Sequence, residues 1–151
     1  MIRCLEVSLA IPDNEARTAL ATLQRLGIAL SALDRSDLYR CDVDDDEADG
    51  LVATMSGLET IYNPNKHVLR VREDARPGPG EVWIDEIGSG NENGAGFVRV
   101  AGRTLEGVRS LERFTAWRLS DAAGRPAGAE LVASATETLL CNPAFQKAVT
   151  R

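Results

Sequence analysis

The chain has 151 residues, of which 44% are hydrophobic and 26% charged, and its formal net charge at pH 7 is −6. This composition predicts one folded domain or two very small ones, and the acidic balance argues against nucleic-acid binding, which needs clustered Lys and Arg. No apolar run approaches the ~20 residues of a membrane span. Glu6 interrupts the apolar N-terminal run, so we expect neither a membrane protein nor a signal peptide.

The three cysteines are Cys4, Cys41 and Cys141, and they lie far apart in the sequence without a C-x-x-C pair. An odd, scattered set of this kind is typical of reduced, mostly buried thiols. We therefore expect a cytoplasmic protein without disulfides.

In chain order, the first predicted elements are a strand and a helix. Residues 2–11 alternate imperfectly between apolar and polar, which indicates a strand. Asp13 or Asn14 can then cap the start of a helix, and Gly27 is placed to end it.

A long strand, a second helix and a short strand are predicted next. Residues 29–43 indicate a long strand, or a hairpin bent near residues 35–37. Residues 44–47 are all acidic and are predicted to open the second helix, which the Asn-Pro pair at 63–64 ends. Residues 67–71 then form a short strand.

Residues 72–80 contain two Pro and two Gly without periodicity, which predicts a linker. After it the pattern restarts. Residues 81–87 indicate a strand, residues 88–94 a glycine-rich loop, and residues 95–105 a weak helix, because Gly102 lies inside it.

The last quarter of the chain predicts a strand and a helix. Residues 108–119 indicate the strand, residues 122–128 a turn, and residues 130–141 the helix. The Asn-Pro pair at 142–143 ends this helix, and residues 145–149 close the chain.

Two segments of the sequence recur at nearly the same spacing. Residues 32–40 (ALDRSDLYR) match residues 110–118 (SLERFTAWR), 78 positions later as counted from Arg35 to Arg113. Residues 59–64 (ETIYNP) match residues 138–143 (TLLCNP), 79 positions later. Such self-similarity predicts a duplicated unit; convergence of two α+β halves on similar turns is the alternative.

The predicted fold is therefore α+β, with two tandem βαββα(β) repeats at residues 1–72 and 81–151 and a linker at residues 73–80. One repeat alone has too little core to be secure. Two repeats related by a pseudo-twofold axis can form an intramolecular pseudo-dimer, with antiparallel sheets and helices packed on one face.

The motifs that resemble ion or phosphate sites fail on spacing. A calcium loop that starts at Asp42 needs Gly sixth and Glu twelfth, where the sequence has Glu47 and Ala53. In residues 88–94, a G-x-G-x-x-G motif needs Gly where Asn93 stands. We interpret the acidic run as a helix start and the glycine-rich segment as a loop.

No catalytic constellation can be placed on the sequence. His67 is the only histidine. A zinc site needs about four ligands, and one histidine with three scattered cysteines does not give the usual ligand spacing. We expect His67 to have a structural role at the edge of a strand. No Ser-His-Asp set, P-loop or paired-carboxylate site is visible. We therefore assign no catalytic, cofactor-binding or metal-binding residue and expect no cofactor.

Four repeated residues are candidates for contact with a partner protein: Arg35 and Tyr39 in the first half, and Arg113 and Trp117 in the second. Arg, Tyr and Trp are enriched among the residues that dominate binding energy at interfaces. The alternative is that Tyr39 and Trp117 belong to the core of a sheet.

The helix stops carry a family resemblance. Residues 139–143 (LLCNP) are similar to the L-L-A-N-P that ends the last helix of the small PurS subunit family of phosphoribosylformylglycinamidine synthase. Residues 91–94 (NENG) resemble that family's Asp-Pro-x-Gly turn, and residues 111–119 stand in place of its V-R-x-G-K strand. The first half repeats the order, with residues 61–64 (IYNP) at the helix stop.

The chain departs from the family at basic positions. Where the family has Arg and then Gly-Lys, this chain has Asp34 and residues 36–37 (SD), or Glu112 and residues 114–115 (FT). Contacts that those basic residues make in the family are therefore in doubt here. The family subunit is a single unit that dimerises, whereas this chain resembles a tandem of two.

The resemblance implies a non-catalytic bridging subunit in purine biosynthesis. Its expected partners are an ATP-using synthetase and a glutaminase, which together convert formylglycinamide ribonucleotide to its amidine, and a homo-oligomer is also possible. The family subunit holds no catalytic residues, so none is carried over. Two alternatives stay open: a regulatory domain that binds a small molecule between the halves, and an unrecognised enzyme that uses His67 with a cysteine or carboxylate.

Overall fold

The computed structural model describes residues 1–86, 92–94, 97–100 and 102–151. The strands are β1 (Ile2–Leu9), β2 (Leu30–Val43), β3 (His67–Arg72), β4 (Glu81–Glu86), β5 (Glu92–Gly94), β6 (Phe97–Val100), β7 (Arg103–Leu105), β8 (Val108–Asp121) and β9 (Gln146–Val149). The helices are α1 (Asn14–Arg25), α2 (Leu51–Ser56) after a 3-10 turn (Asp45–Gly50), and α3 (Ala129–Ala135), which continues as a π-helical turn (Thr136–Leu140). The strand registers are antiparallel, and the α+β class is confirmed.

The chain forms two compact units, and each unit combines segments from both halves of the sequence. Unit 1 consists of Met1–Ile11, Asp37–Ala75 and Ser89–Arg113, and unit 2 of Pro12–Ser36, Arg76–Gly88 and Phe114–Arg151. The spatial units are therefore a different division of the chain from the predicted repeats at 1–72 and 81–151. The two 14-residue strands, β2 and β8, each supply residues to both units.

In unit 1 the strands are hydrogen-bonded in the order β3-β1-β2-β8. β1 pairs with β3 from Cys4 opposite Arg72 to Leu9 opposite His67. The core joins Leu5 of β1 and Val43 of β2 to Met55 of α2. A separate antiparallel sheet in the order β5-β6-β7 adds the buried side chains of Val98 and Leu105 to this core.

In unit 2 the strands are hydrogen-bonded in the order β2-β8-β4-β9. β4 pairs with β8 on one side and with β9 on the other, antiparallel in both cases. The core joins Leu23 of α1 to Val82 of β4 and to Val132 of α3. The helix α1 belongs to the first half of the sequence and the other two elements to the second.

The predictions for α1 and β2 are confirmed. The Asp13 side chain accepts hydrogen bonds from the backbone N–H groups of Glu15 and Ala16 at 3.0 and 3.2 Å, which makes it the N-cap of α1. Gly27 follows the helix with a φ of 87°. β2 is one continuous strand, so the alternative of a hairpin bent near residues 35–37 is wrong.

The predicted helix over residues 95–105 is wrong. β6 and β7 pair there instead, with Val98 opposite Leu105 and Val100 opposite Arg103. Val98 and Val100 favour extended structure, and Gly102 provides the positive φ of 78° at the turn between the strands. β5 also replaces part of the predicted loop at 88–94, whose residues 88–91 lie outside the described residues.

The other two predicted helices differ in extent. The helix predicted to end at residues 63–64 ends at Ser56, and the 3-10 turn Asp45–Gly50 occupies its acidic start. The helix predicted over residues 130–141 is α3 with its π-helical turn, and it does end before the Asn-Pro pair at 142–143. No helix in the described part of the chain is long and apolar enough to cross a membrane.

The linker ends at a glycine that the packing requires. Gly80 has a φ of 73°, and a Cβ added to it would lie 2.7 Å from the Leu119 carbonyl oxygen. Gly124 has a similar φ of 77°, but no atom lies within 4 Å of an added Cβ. A side chain at Gly124 would therefore cause backbone strain alone, whereas a side chain at Gly80 would cause both backbone strain and steric overlap.

We expect Gly80→Ala to lower the free energy of unfolding more than Gly124→Ala. The left-handed backbone alone costs about 1–2 kcal/mol for a residue with a Cβ. The overlap at Gly80 adds about 1–3 kcal/mol, typical of overpacking. Urea unfolding followed by far-UV circular dichroism measures both, and equal losses in the two variants would contradict the close approach at Gly80.

Candidate interaction site

The four predicted contact residues form two Arg–aromatic pairs. In unit 2 the guanidinium carbon of Arg35 lies 5.9 Å from the ring centroid of Trp117. In unit 1 the guanidinium carbon of Arg113 lies 6.0 Å from the ring centroid of Tyr39. Both distances are within the range of cation–π attraction. Each pair joins an Arg from one half of the sequence to an aromatic residue from the other half.

Arg35 is fixed by two carboxylates at the start of α1. Its Nε and Nη2 donate to the two carboxylate oxygens of Asp13 at 2.9 and 3.1 Å, and its Nη1 donates to Glu15. Burial opposes the charged form, but the bonds to Asp13 and Glu15 outweigh it, so the pKa of Arg35 is raised. The Asp13 carboxylate therefore both caps α1 and holds the guanidinium over Trp117.

The pair in unit 1 is arranged differently. The Arg113 side chain is 57% exposed, compared with 25% for Arg35, and its ion pair with Asp37 has an N–O distance of 3.5 Å. Tyr39 is only 4% exposed and belongs to the core of unit 1. Burial raises the pKa of its hydroxyl, which Arg113 opposes. Tyr39 is thus a core residue, and Arg113 is the exposed member of this pair.

A groove of about 460 Å³ lies beside Trp117 in unit 2. Its walls combine one face of α1 with the π-helical turn after α3, and Leu139 in that turn is 42% exposed. The lining residues are Asn14, Glu15, Thr18, Ala19, Thr22, Trp117, Leu139 and Leu140. A half-exposed leucine next to a tryptophan, rimmed by polar groups, is typical of an interaction surface.

Trp117 is marked by the sequence repeat, but the rest of this groove is not. Thr18 and Leu139 are far apart in the sequence, and neither belongs to a motif. They become neighbours because α1 and α3 pack in the same core. The roles of Arg35, Tyr39, Arg113 and Trp117 in partner contact stay a prediction.

Two buried carboxylates, which no sequence pattern marks, are paired with arginine. Glu6 accepts from Arg70 at 2.7 and 2.9 Å. Glu81 accepts from the Trp83 indole N–H at 3.0 Å and from Arg118 at 3.2 Å. Charged groups that are buried in this way need such partners to offset their desolvation. We therefore interpret both clusters as structural.

His67 has a structural role in a turn that occurs twice. The backbone N–H of Asn63 donates to His67 Nδ1 at 2.9 Å, and the Asn63 carbonyl accepts from the His67 backbone N–H at 2.8 Å. In the second half, the Asn142 N–H donates to Gln146 Oε1 and the Asn142 carbonyl accepts from the Gln146 N–H, both at 2.8 Å. The two Asn-Pro turns are closed by the same pair of bonds.

Cys41 offers no activated thiolate. Cys4 and Cys41 are buried, and burial, with a smaller contribution from Cys4, raises the pKa of the Cys41 thiol to about 12. A thiol with so high a pKa is a poor nucleophile near neutral pH. Within the described ranges, no three His, Cys, Asp or Glu side chains are grouped so that they could hold a metal ion.

Comparison with known proteins adds no assignment. No protein-family model matches the chain, and a search of curated proteins finds no significant match.

We expect Arg35→Ala to destabilise the protein more than Arg113→Ala. Arg35 makes hydrogen bonds to a largely buried carboxylate, and such charged bonds contribute about 1.5–3 kcal/mol each. Arg113 makes an exposed ion pair, which contributes about 0–1 kcal/mol. Urea unfolding followed by circular dichroism tests the difference. An equal or larger loss in Arg113→Ala would contradict this ranking.

Proposed function

We propose that the chain is a non-catalytic assembly subunit of a formylglycinamidine ribonucleotide synthase-type amidotransferase complex, built as a tandem of two PurS-like repeats. The observation that carries the proposal is the equivalent layout of the two units. Unit 1 has the strand order β3-β1-β2-β8, and unit 2, read from its other edge, has β9-β4-β8-β2. In both units the edge strand is the last strand of one half of the sequence, and it pairs with the first strand of the same half. The long strand of that half comes next in the sheet, and then the long strand of the other half.

The matched turns support the same duplication. Asn63-Pro64 and Asn142-Pro143 both precede a short edge strand, and His67 and Gln146 accept the equivalent backbone hydrogen bond. The last strand of each half is therefore entered through the same closed turn. These are the positions at which the sequence resembles the L-L-A-N-P signature of the PurS subunits.

The Arg35–Trp117 pair and its groove are the surface best suited to a protein partner. Trp and Arg are the residue types that most often dominate interface energies, especially when they are held rigid. The two bonds to Asp13 hold Arg35, so little side-chain entropy is lost on binding. Leu139 and Ala19 supply the apolar contact, and Asn14 and Thr22 supply polar groups at the rim.

The groove also favours a second candidate function, a domain that binds a small molecule. Its volume of about 460 Å³ lies within the range of about 300–1,000 Å³ that is usual for ligand pockets. In that case Trp117 lines a ligand site rather than an interface, and Arg35 holds its ring in place. If the groove contacts a partner protein, capture of that partner depends on the groove. If the groove binds a small molecule, it does not.

The test is a pull-down of the tagged protein from cell extract with glutamine and ATP-Mg present, read by mass spectrometry. We expect a synthetase and a glutaminase to be recovered with the wild-type chain and to be lost at least about tenfold with Leu139→Asp, because a buried unpaired charge costs several kcal/mol. Leu26→Asp is the control, since Leu26 is an exposed leucine of unit 2 that does not line the groove.

Recovery of neither enzyme, from an extract shown to contain both, would overturn the proposed assembly role. Recovery that is unchanged in Leu139→Asp would retain the assembly role but exclude the groove as its contact surface. Loss in both Leu139→Asp and Leu26→Asp would indicate a general dependence on surface leucines and also exclude the groove.

A further inference from the structure

β3 is the strand at one edge of the unit 1 sheet. It is the terminal strand of the order β3-β1-β2-β8, and within the described residues β1 is the one strand that pairs with it. The side chains of Val68 and Val71 are 52% and 48% exposed, so much of this strand faces solvent. An edge strand of this kind can pair with another chain through its outward backbone groups.

The outward backbone groups of β3 belong to alternate residues. The Ala10 N–H donates to the Lys66 carbonyl at 2.8 Å, in the register that β1 and β3 share. In an antiparallel ladder, hydrogen-bonded pairs recur at every second residue, so Val68 and Arg70 direct their backbone groups toward β1. The N–H and C=O groups of Leu69 and Val71 therefore point toward the open edge, where an added strand would bond to them.

The two ends of this edge carry opposite charges. Lys66 directly precedes β3, and Glu73 and Asp74 directly follow it. All three residues are exposed, and in the part of the chain that the structure describes none of the three forms an ion pair. The edge is therefore basic at its start and acidic at its end, and these charges are available to a second chain.

The middle of the edge is basic but is partly neutralised within the chain. Nη2 of Arg70 and Nη1 of Arg72 lie 2.7 and 3.6 Å from a carboxylate oxygen of Glu6, whose side chain is 4% exposed. Together with Lys66 and the two carboxylates after the strand, this gives three positive and three negative charges. A surface that is neutral as a whole but polarised along its length is complementary to an inverted copy of itself.

We propose that two copies of the chain form a twofold dimer by antiparallel pairing of β3 with β3. Antiparallel pairing sets the basic start of each strand opposite the acidic end of the other, whereas parallel pairing would set like charges side by side. The outward backbone groups of Leu69 and Val71 would bond to those of the second copy, so that the two unit 1 sheets become continuous.

The charges also select the register of this pairing. Because alternate residues carry the outward groups, the twofold axis passes through a residue rather than between two residues. With the axis at Arg70, Lys66 faces Asp74 of the second copy. With the axis one residue earlier or later, Lys66 would instead face Arg72 or Arg76. The Arg70 pair at the axis is the unfavourable contact of this register, and each Arg70 keeps its hydrogen bonds to its own Glu6.

The expected dimer is weak, because six paired residues on each side form less contact than a standard interface. We expect a dissociation constant on the order of 10 µM. The dimer uses neither the groove nor Leu139 of unit 2, so it stands independently of the proposed assembly role.

Lys66 and Asp74 allow a charge-swap test with a matched control. Lys66→Glu and Asp74→Lys each set like charges opposite each other at both ends of the dimer, and the double variant restores opposite charges. Lys147→Glu is the control, because Lys147 is an exposed lysine on β9, the edge strand of the unit 2 sheet. Since all three side chains are exposed, the variants are expected to fold, which circular dichroism checks.

Sedimentation velocity of the full-length chain at low salt, from about 1 µM to about 200 µM, measures the dissociation constant of each variant. We expect the wild-type chain to dimerise and each single charge reversal to weaken the dimer at least about fivefold, since it introduces two like-charge pairs. The double variant and Lys147→Glu should both stay within about twofold of the wild-type value.

A wild-type chain that stays monomeric at about 200 µM would overturn the proposal. So would single variants that dimerise as tightly as the wild-type chain, or a double variant that stays as weak as the single ones. A loss in Lys147→Glu equal to that in Lys66→Glu would overturn it as well, because the effect would then not belong to the β3 edge.

Discussion

The pairing of the two long strands, β2 and β8, is the constraint on which the rest of the structure depends. The Ser31 hydroxyl donates to the Asp121 carbonyl in unit 2, and Arg40 forms an ion pair with Glu112 at 2.6 Å in unit 1. These pairs run in opposite sequence directions, as in antiparallel neighbours. Since each long strand supplies residues to both units, neither half of the sequence contains a complete core.

The same pairing explains why equivalent positions have different roles. Arg35 and Arg113 match in the sequence, but Arg35 is held by Asp13 of α1, whereas unit 1 contains no counterpart of α1 among its described residues. Unit 1 instead contains the sheet β5-β6-β7, which adds Val98 and Leu105 to the core around Tyr39. Trp117 therefore lines a groove, and Tyr39 is buried.

Local signals predicted much of the fold. Asp13 and Gly27 marked α1, the apolar pattern of residues 29–43 marked β2, and the Asn-Pro pair at 142–143 marked the end of the last helix. The failure at β6 and β7 has a physical reason. A short apolar run around Val98 fits a helix or a strand, and a single glycine such as Gly102 fits either a weak point in a helix or the turn of a hairpin.

The candidate sites were less predictable, because they depend on tertiary structure. The repeat pointed to Arg35 and Trp117, but nothing local indicated that Leu139 would lie beside them. The burial of Glu6 and Glu81 likewise follows only from the assembled sheets. The charge of a residue can be read from the sequence, but its burial cannot.

The most direct test of this account is to divide the chain between Ala75 and Arg76 and to study the two fragments separately and mixed, by size-exclusion chromatography and thermal unfolding. Because each unit needs segments from both fragments, neither fragment should be a folded monomer. Mixing should restore a 1:1 complex with the circular dichroism of the intact chain. A fragment that is monomeric and unfolds cooperatively by itself would contradict the account.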